Sequence, residues 1–175
     1  MADAETNAGT NEGPQLDLTD VDHRVGQLVG GGQLFEPCAK SDIRRWVMAM
    51  DYANPLHWDQ DFASKTKFGD IIAPQSMAVS LDYGHGCQPA CVGYIPGSHL
   101  IFGGEEWWWY GTPIRPGDKL FQERRFYDYK VTDTKFAGPT MFSRGDTSHR
   151  NQNGALVAKA RSTAIRYLAA EAERL

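Results

Sequence analysis

Apolar positions along the chain fall into two textures, helix-spaced in the first half and strand-spaced in the second. Ile43, Trp46, Val47 and Met50 recur at the offsets of one helical face, so Ser41–Met50 predicts an amphipathic helix. Ser41 is placed to cap it, and Asp42 in the first turn suits its positive end. Pro55 disfavours helical geometry at Asn54 and stops the run. Residues 59–65 read as a second, short helix with Asp59 as its N-cap. Pro74 takes the first or capping position of a third, whose apolar face is Met77, Ala78 and Leu81.

From His99 onward the pattern is that of strands. His99–Phe102 and Glu106–Tyr110 are rich in aromatic and β-favouring residues. Pro116-Gly117 marks a turn before a strand over Leu120–Tyr129. Another strand is predicted over Thr140–Arg150, a hairpin at Asn151–Gly154 with Asn-Gly as the turn pair, and a closing strand over Ala155–Tyr167. Earlier, Gly30-Gly31-Gly32 reads as a loop and Leu34-Phe35 as the start of a first strand. Asp82–Ser98, rich in Gly, Pro and Cys, reads as a long loop. Helices early and consecutive antiparallel strands late predict an α+β domain over residues 20–168, with a polar disordered arm over 1–19 and a short tail over 169–175. In the run Trp107-Trp108-Trp109 the outer two share one face and Trp108 takes the other. Bulk on both faces points to packing against the domain on one side and a second subunit on the other.

Composition narrows the function classes. The 175 residues suit one domain, and hydrophobic and charged contents of 41% and 23% are ordinary for a soluble protein. A net charge of -4 without a basic run argues against nucleic acid. No stretch has the roughly 20 apolar residues a membrane helix needs, and the first residues lack a signal-peptide pattern, so a cytoplasmic protein is expected. The 3 cysteines, Cys38, Cys87 and Cys91, are expected as reduced thiols. His85 with Cys87 and Cys91 falls short of a four-ligand zinc set, so no metal is expected.

Proton-handling chemistry concentrates where the first helix ends, in Asp51-Tyr52-Ala53-Asn54-Pro55-Leu56-His57-Trp58-Asp59. This run resembles the hydratase motif of the MaoC-like enoyl-CoA hydratases and dehydratases, roughly Gly-Asp-x-Asn-Pro-x-His-x-Asp, with Asn54, Pro55, His57 and Asp59 in register. The motif's catalytic aspartate falls on Tyr52, and Asp51 sits one residue early. Asp59 is better explained as a cap than as a catalyst. The run Ile72-Ala73-Pro74-Gln75-Ser76-Met77 resembles the family's Ile-Ala-x-Gly-Met entry to a long central helix, with Ser76 or Gln75 in the glycine's place. The Pro-Gly-Asp turn and the Asn-Gln-x-Gly hairpin extend the resemblance over residues 20–167, nearest the branch forming the N-terminal half of MaoC-type dehydratases.

The resemblance implies a hot-dog fold, an antiparallel sheet wrapped around that central helix. It implies addition or removal of water at the 2,3 position of an acyl thioester, acyl-CoA foremost. His57 and a carboxylate, Asp51, would be acid and base, Asn54 would orient the water, and Tyr52, Gln75, Ser76 and Met77 would bind substrate. The last three would supply backbone donors to the thioester oxygen. No cofactor is implied. The working unit would be a homodimer or a heterodimer with another hot-dog subunit, and Tyr52 keeps open a half-site subunit that only shapes the acyl tunnel. A thioesterase is a further alternative, weakened because Gln75–Leu81 carries no acid.

Overall fold

A computed structural model describes residues 15–33, 36–80 and 88–172. Five strands, β1 (Leu28–Gln33), β2 (Ser98–Trp109), β3 (Leu120–Thr134), β4 (Gly138–Asn151) and β5 (Leu156–Leu168), form one antiparallel sheet in the order β1-β3-β4-β5-β2. Five short helices accompany them: α1 (Thr19–Asp22), α2 (Lys40–Ala49), α3 (Gln60–Ser64), α4 (Met77–Ser80) and α5 (Ala169–Ala172).

Most predicted elements form, with shifted bounds, while the strand expected at Leu34-Phe35, the third helix at Leu81 and the loop over 82–87 lie outside the described residues. Helix α2 starts one residue before Ser41, because the Asp42 carboxylate accepts the Ala39 N–H at 3.1 Å and closes the end from within the first turn. Asp59 caps α3 as expected, accepting the Phe62 N–H at 3.0 Å. The glycine run is not a loop: Gly30, Gly31 and Gly32 pair with β3 as strand β1. The chain there passes so close that a Cβ on Gly31 would lie 2.4 Å from the Gln122 carbonyl oxygen. The two aromatic runs form one strand, β2, with a register shift between Phe102 and Gly104. The Pro116-Gly117 turn forms, Gly117 taking φ +88. In the hairpin Gly154 takes φ +77 and its N–H returns to the Asn151 carbonyl at 2.9 Å, so Asn153-Gly154 holds the last two positions of a four-residue turn rather than its centre.

Two apolar clusters fill the interior. The first joins α2 to the far ends of the strands through Cys38, Ile43, Val47, Ala73, Ile114 and Ala158, with Trp46, Tyr52, Leu56 and Trp107 against it. The second joins Val21, Ile95, Phe126 and Met141, with Leu16 and Leu18 against it. Leu16 and Leu18, alternating along the segment expected as a polar arm, are apolar and pack against this cluster. The expectation for residues 1–14 lies outside the described residues. Cys38 is a free, buried thiol, whereas Cys91 is disulfide-bonded, so the expected set of reduced thiols does not hold there.

Beneath β4 the chain approaches the sheet at residues 89–90, where a Cβ on Gly145 would lie 2.2 Å from the Pro89 carbonyl carbon. Only glycine leaves room. Ser143 Oγ donates to the Ala90 carbonyl at 2.7 Å. Arg166, 2% exposed, donates to the carbonyls of Gly93 and Val92 at 2.7 Å each and of Ala90 at 3.2 Å. Burial works against its charge, and three peptide oxygens hold the guanidinium in place.

Candidate active site

The end of α2 decides where the motif's side chains go. The Tyr52 N–H returns to the Val47 carbonyl at 3.0 Å and the Asp51 N–H to the Met48 carbonyl at 3.4 Å, the paired bonds of a Schellman motif. Asp51 occupies its left-handed position at φ 52, the slot that glycine favours. Its exposed side chain lines a shallow depression with Arg44, Met48 and Trp58. Tyr52, the next residue, turns inward onto the first cluster. Asn54 stays exposed and accepts the Leu56 N–H at 3.1 Å, capping the single turn Pro55–His57.

That turn delivers His57 to a cleft of about 600 Å³ shared with Tyr52, Lys67, Phe68, Gln75, Ser76 and Trp109. The opposite wall, residues 72–76, is fixed by an isolated bridge in which the Ala73 N–H donates to the Ile114 carbonyl at 2.8 Å. Arg115 donates to the Phe68 carbonyl at 2.9 Å and secures the rim. His57 Nδ1 lies 2.7 Å from the Ile72 carbonyl oxygen. A carbonyl only accepts, so Nδ1 carries the hydrogen and the neutral ring keeps a lone pair on Nε2. The Tyr52 ring meets His57 edge-on, centroids 6.2 Å apart.

Ser76 ties the two walls together. Its Oγ lies 2.6 Å from Tyr52 Oη and receives the Trp46 Nε1–H at 3.2 Å. The backbone N–H groups of Gln75 and Ser76 have no acceptor among the described residues, but that of Met77 already donates to the Pro74 carbonyl at 2.9 Å. Met77 is buried, packs in the first cluster and lies off the cleft.

The cleft therefore assembles Tyr52, His57, Gln75 and Ser76 from the sequence-predicted set, and leaves Asp51, Asn54 and Met77 outside it. No Asp or Glu lines it among the described residues. Lys67, Phe68 and Trp109 join without having been foreseen. Strand alternation puts Trp109 on the same face as Trp107, and the rings stack at 5.2 Å over the small Ala158 and Ala160 of β5. Lys67 and Phe68 carry no sequence signal for the cleft. Among the described residues, no group of three metal-binding side chains forms and no helix is long and apolar enough to cross a membrane.

Solved structures share this architecture. The unliganded R-hydratase PhaJ1 from Pseudomonas aeruginosa is 23% identical at a TM-score of 0.57, covering 80% of this chain and 79% of that one. The (R)-hydratase from A. caviae involved in PHA biosynthesis is 22% identical at 0.57, covering 80% and 94%. The ChsH1-ChsH2 complex from Mycobacterium tuberculosis is 15% identical at 0.66, covering 87% and 93%. No curated protein sequence matches the chain. The model of the FAS1-like dehydratase domain region matches residues 23–160. With an α+β hot-dog fold and a family match over most of its length, the chain belongs to the FAS1-like dehydratase-region family.

Proposed function

We propose that this chain supplies an acyl-thioester cleft of a hydratase or dehydratase, in which His57 moves the proton. The observation carrying this reading is the His57–Ile72 contact, which orients the ring and reserves Nε2 as an acceptor inside the cleft. In hydration, Nε2 takes a proton from water as the water oxygen bonds to C3. The alkene electron pair moves toward the thioester oxygen, and C2 then receives a proton from the imidazolium. The N–H groups of Gln75 and Ser76, which have no acceptor among the described residues, would stabilise the charge that develops on that oxygen. Dehydration runs through the same groups in reverse. Acyl-CoA is the substrate we propose.

A second reading is favoured by the absence of a cleft carboxylate among the described residues. A half-site subunit would take its carboxylate from a hot-dog partner, as two subunits working together would allow. Strand β2 supports such a partner: it is an edge strand of 12 residues, with Leu100, Ile101, Phe102 and Trp108 exposed on it. A homodimer and a heterodimer both fit that edge.

Turnover of 2-enoyl-CoA esters, followed by loss of enone absorbance, tests both readings. His57→Ala is expected to lower the rate by roughly 10²–10⁴-fold. Asp51→Asn is expected to leave it unchanged, because its side chain lies off the cleft. Turnover that survives His57→Ala would sink the proposal. Turnover that appears only with a co-expressed hot-dog partner, and still needs His57, would select the half-site reading.

A further inference from the structure

The hydrogens around Ser76 can be counted. Trp46 Nε1–H can only donate, and it occupies one lone pair of Ser76 Oγ at 3.2 Å. Tyr52 Oη lies 2.6 Å from the same oxygen, so one hydroxyl hydrogen is spent between the two. Whichever residue spends it, the other hydroxyl hydrogen has no acceptor among the described residues, and both residues line the cleft. A carboxylate at position 52 would present acceptors alone. Tyrosine with Ser76 presents a donor.

One of the two directions links all three groups. When Ser76 donates to Tyr52, the three groups run as one chain, Trp46 N–H to Ser76 O–H to Tyr52 O–H, each bond polarising the next. The hydrogen left over is then that of Tyr52, which lines the same cleft as Gln75 and Ser76, whose backbone N–H groups have no acceptor among the described residues. Three donors lining one cleft suit a single electron-rich oxygen.

We infer that Tyr52 donates its hydroxyl hydrogen to the thioester carbonyl oxygen of the bound acyl group, with Ser76 and Trp46 as positioning residues behind it. This rests on the acyl-thioester reading above, and it changes what position 52 does: it grips the carbonyl instead of activating water.

The carbonyl stretch of carbonyl-¹³C crotonyl-CoA, bound to the full chain and read by difference Raman spectroscopy, tests the assignment. Crotonyl-N-acetylcysteamine, which has the thioester without the nucleotide, serves as the second probe. On wild type the band is expected below its position in water with both probes. Tyr52→Phe is expected to return most of that shift and weaken binding about 3- to 10-fold. Trp46→Phe keeps the ring without the N–H and is expected to return a smaller part. Ser76→Ala keeps the backbone N–H and the tyrosine hydroxyl and is expected to return a part of the shift, between those of Trp46→Phe and Tyr52→Phe, giving a check should Tyr52→Phe fold poorly. Tyr52→Asp is expected to abolish the shift. An unchanged band in Tyr52→Phe or in Tyr52→Asp would overturn the assignment while leaving the acyl-thioester reading intact. Failure of wild type to bind either probe would overturn both. Binding of the CoA ester alone would place the affinity in the nucleotide, and the shift in that complex would still decide for or against Tyr52.

Discussion

Arg166 and His57 are both polar side chains set against peptide carbonyls, at two sites that differ in what they leave over. Around Arg166, buried donors meet the carbonyls of Ala90, Val92 and Gly93, and Ser143 adds a further bond to Ala90. That site spends its polarity on holding the chain. Around His57, one ring nitrogen is spent on Ile72, while Nε2, two N–H groups and a hydroxyl hydrogen have no partner in the cleft among the described residues. Burial of a polar group costs free energy unless it is bonded, so the first site stabilises through the bonds of its two Nη atoms, although Nε has no partner among the described residues. The second site works through its unspent bonds.

Four experiments would break or sharpen that contrast. The largest effect belongs to Gly145→Ala, whose Cβ would meet the Pro89–Ala90 backbone at 2.2 to 2.4 Å. Neither backbone segment can give way cheaply, and a loss of about 4 kcal/mol or more is expected in urea unfolding. Arg166→Met comes next. It leaves the Val92 and Gly93 carbonyls without their donor and the Ala90 carbonyl with Ser143 alone, for an expected loss of about 3 kcal/mol, with thioester affinity of the folded fraction unchanged. Affinity falling in step with stability would erase the distinction between the two sites.

Cys38 probes the floor beneath the cleft. Burial first, and then the charges of Asp42 and Asp118, push its thiol up to about 12 from an ordinary 9.0. The folded chain therefore holds this proton after the unfolded chain has lost it. Stability from this group is complete below about pH 9 and falls as pH rises toward 12. A Cys38→Ala variant should lose less stability over that window than wild type, and native Cys38 should resist alkylation at pH 8. Fast alkylation of the folded protein would mean that water reaches the floor. The smallest effect is that of Asp51→Gly. Relief of a left-handed aspartate is expected to add about 0.5–1 kcal/mol with turnover unchanged, and a loss of turnover would return Asp51 to the chemistry.

Local features were legible in the sequence, and pairings across the chain were not. The periodicity of Ile43, Trp46 and Val47, the Asp59 cap, the Pro116-Gly117 turn and four of the strands each follow from residues close in sequence. The motif's own glycine carried a usable signal for Asp51, since that residue stands where the resemblance has Gly before Asp, and it takes the glycine's backbone conformation. The glycines of β1 misled, because their strand role comes from close approach to β3 and not from any propensity of their own. Ser76 meeting Trp46 and Tyr52 spans 30 and 24 residues, and no periodicity announces it.

The stacked pair Trp107 and Trp109 has an optical consequence. Their rings lie 15° from parallel, and Trp107 also packs against His149 at 5.3 Å. Two indoles so arranged share their near-ultraviolet transitions, and Trp109 is itself part of the cleft lining. Any ligand entering there alters the surroundings of one member of a coupled pair, so near-ultraviolet dichroism and intrinsic emission change with occupancy. The protein carries its own unlabelled indicator of whether the cleft is filled.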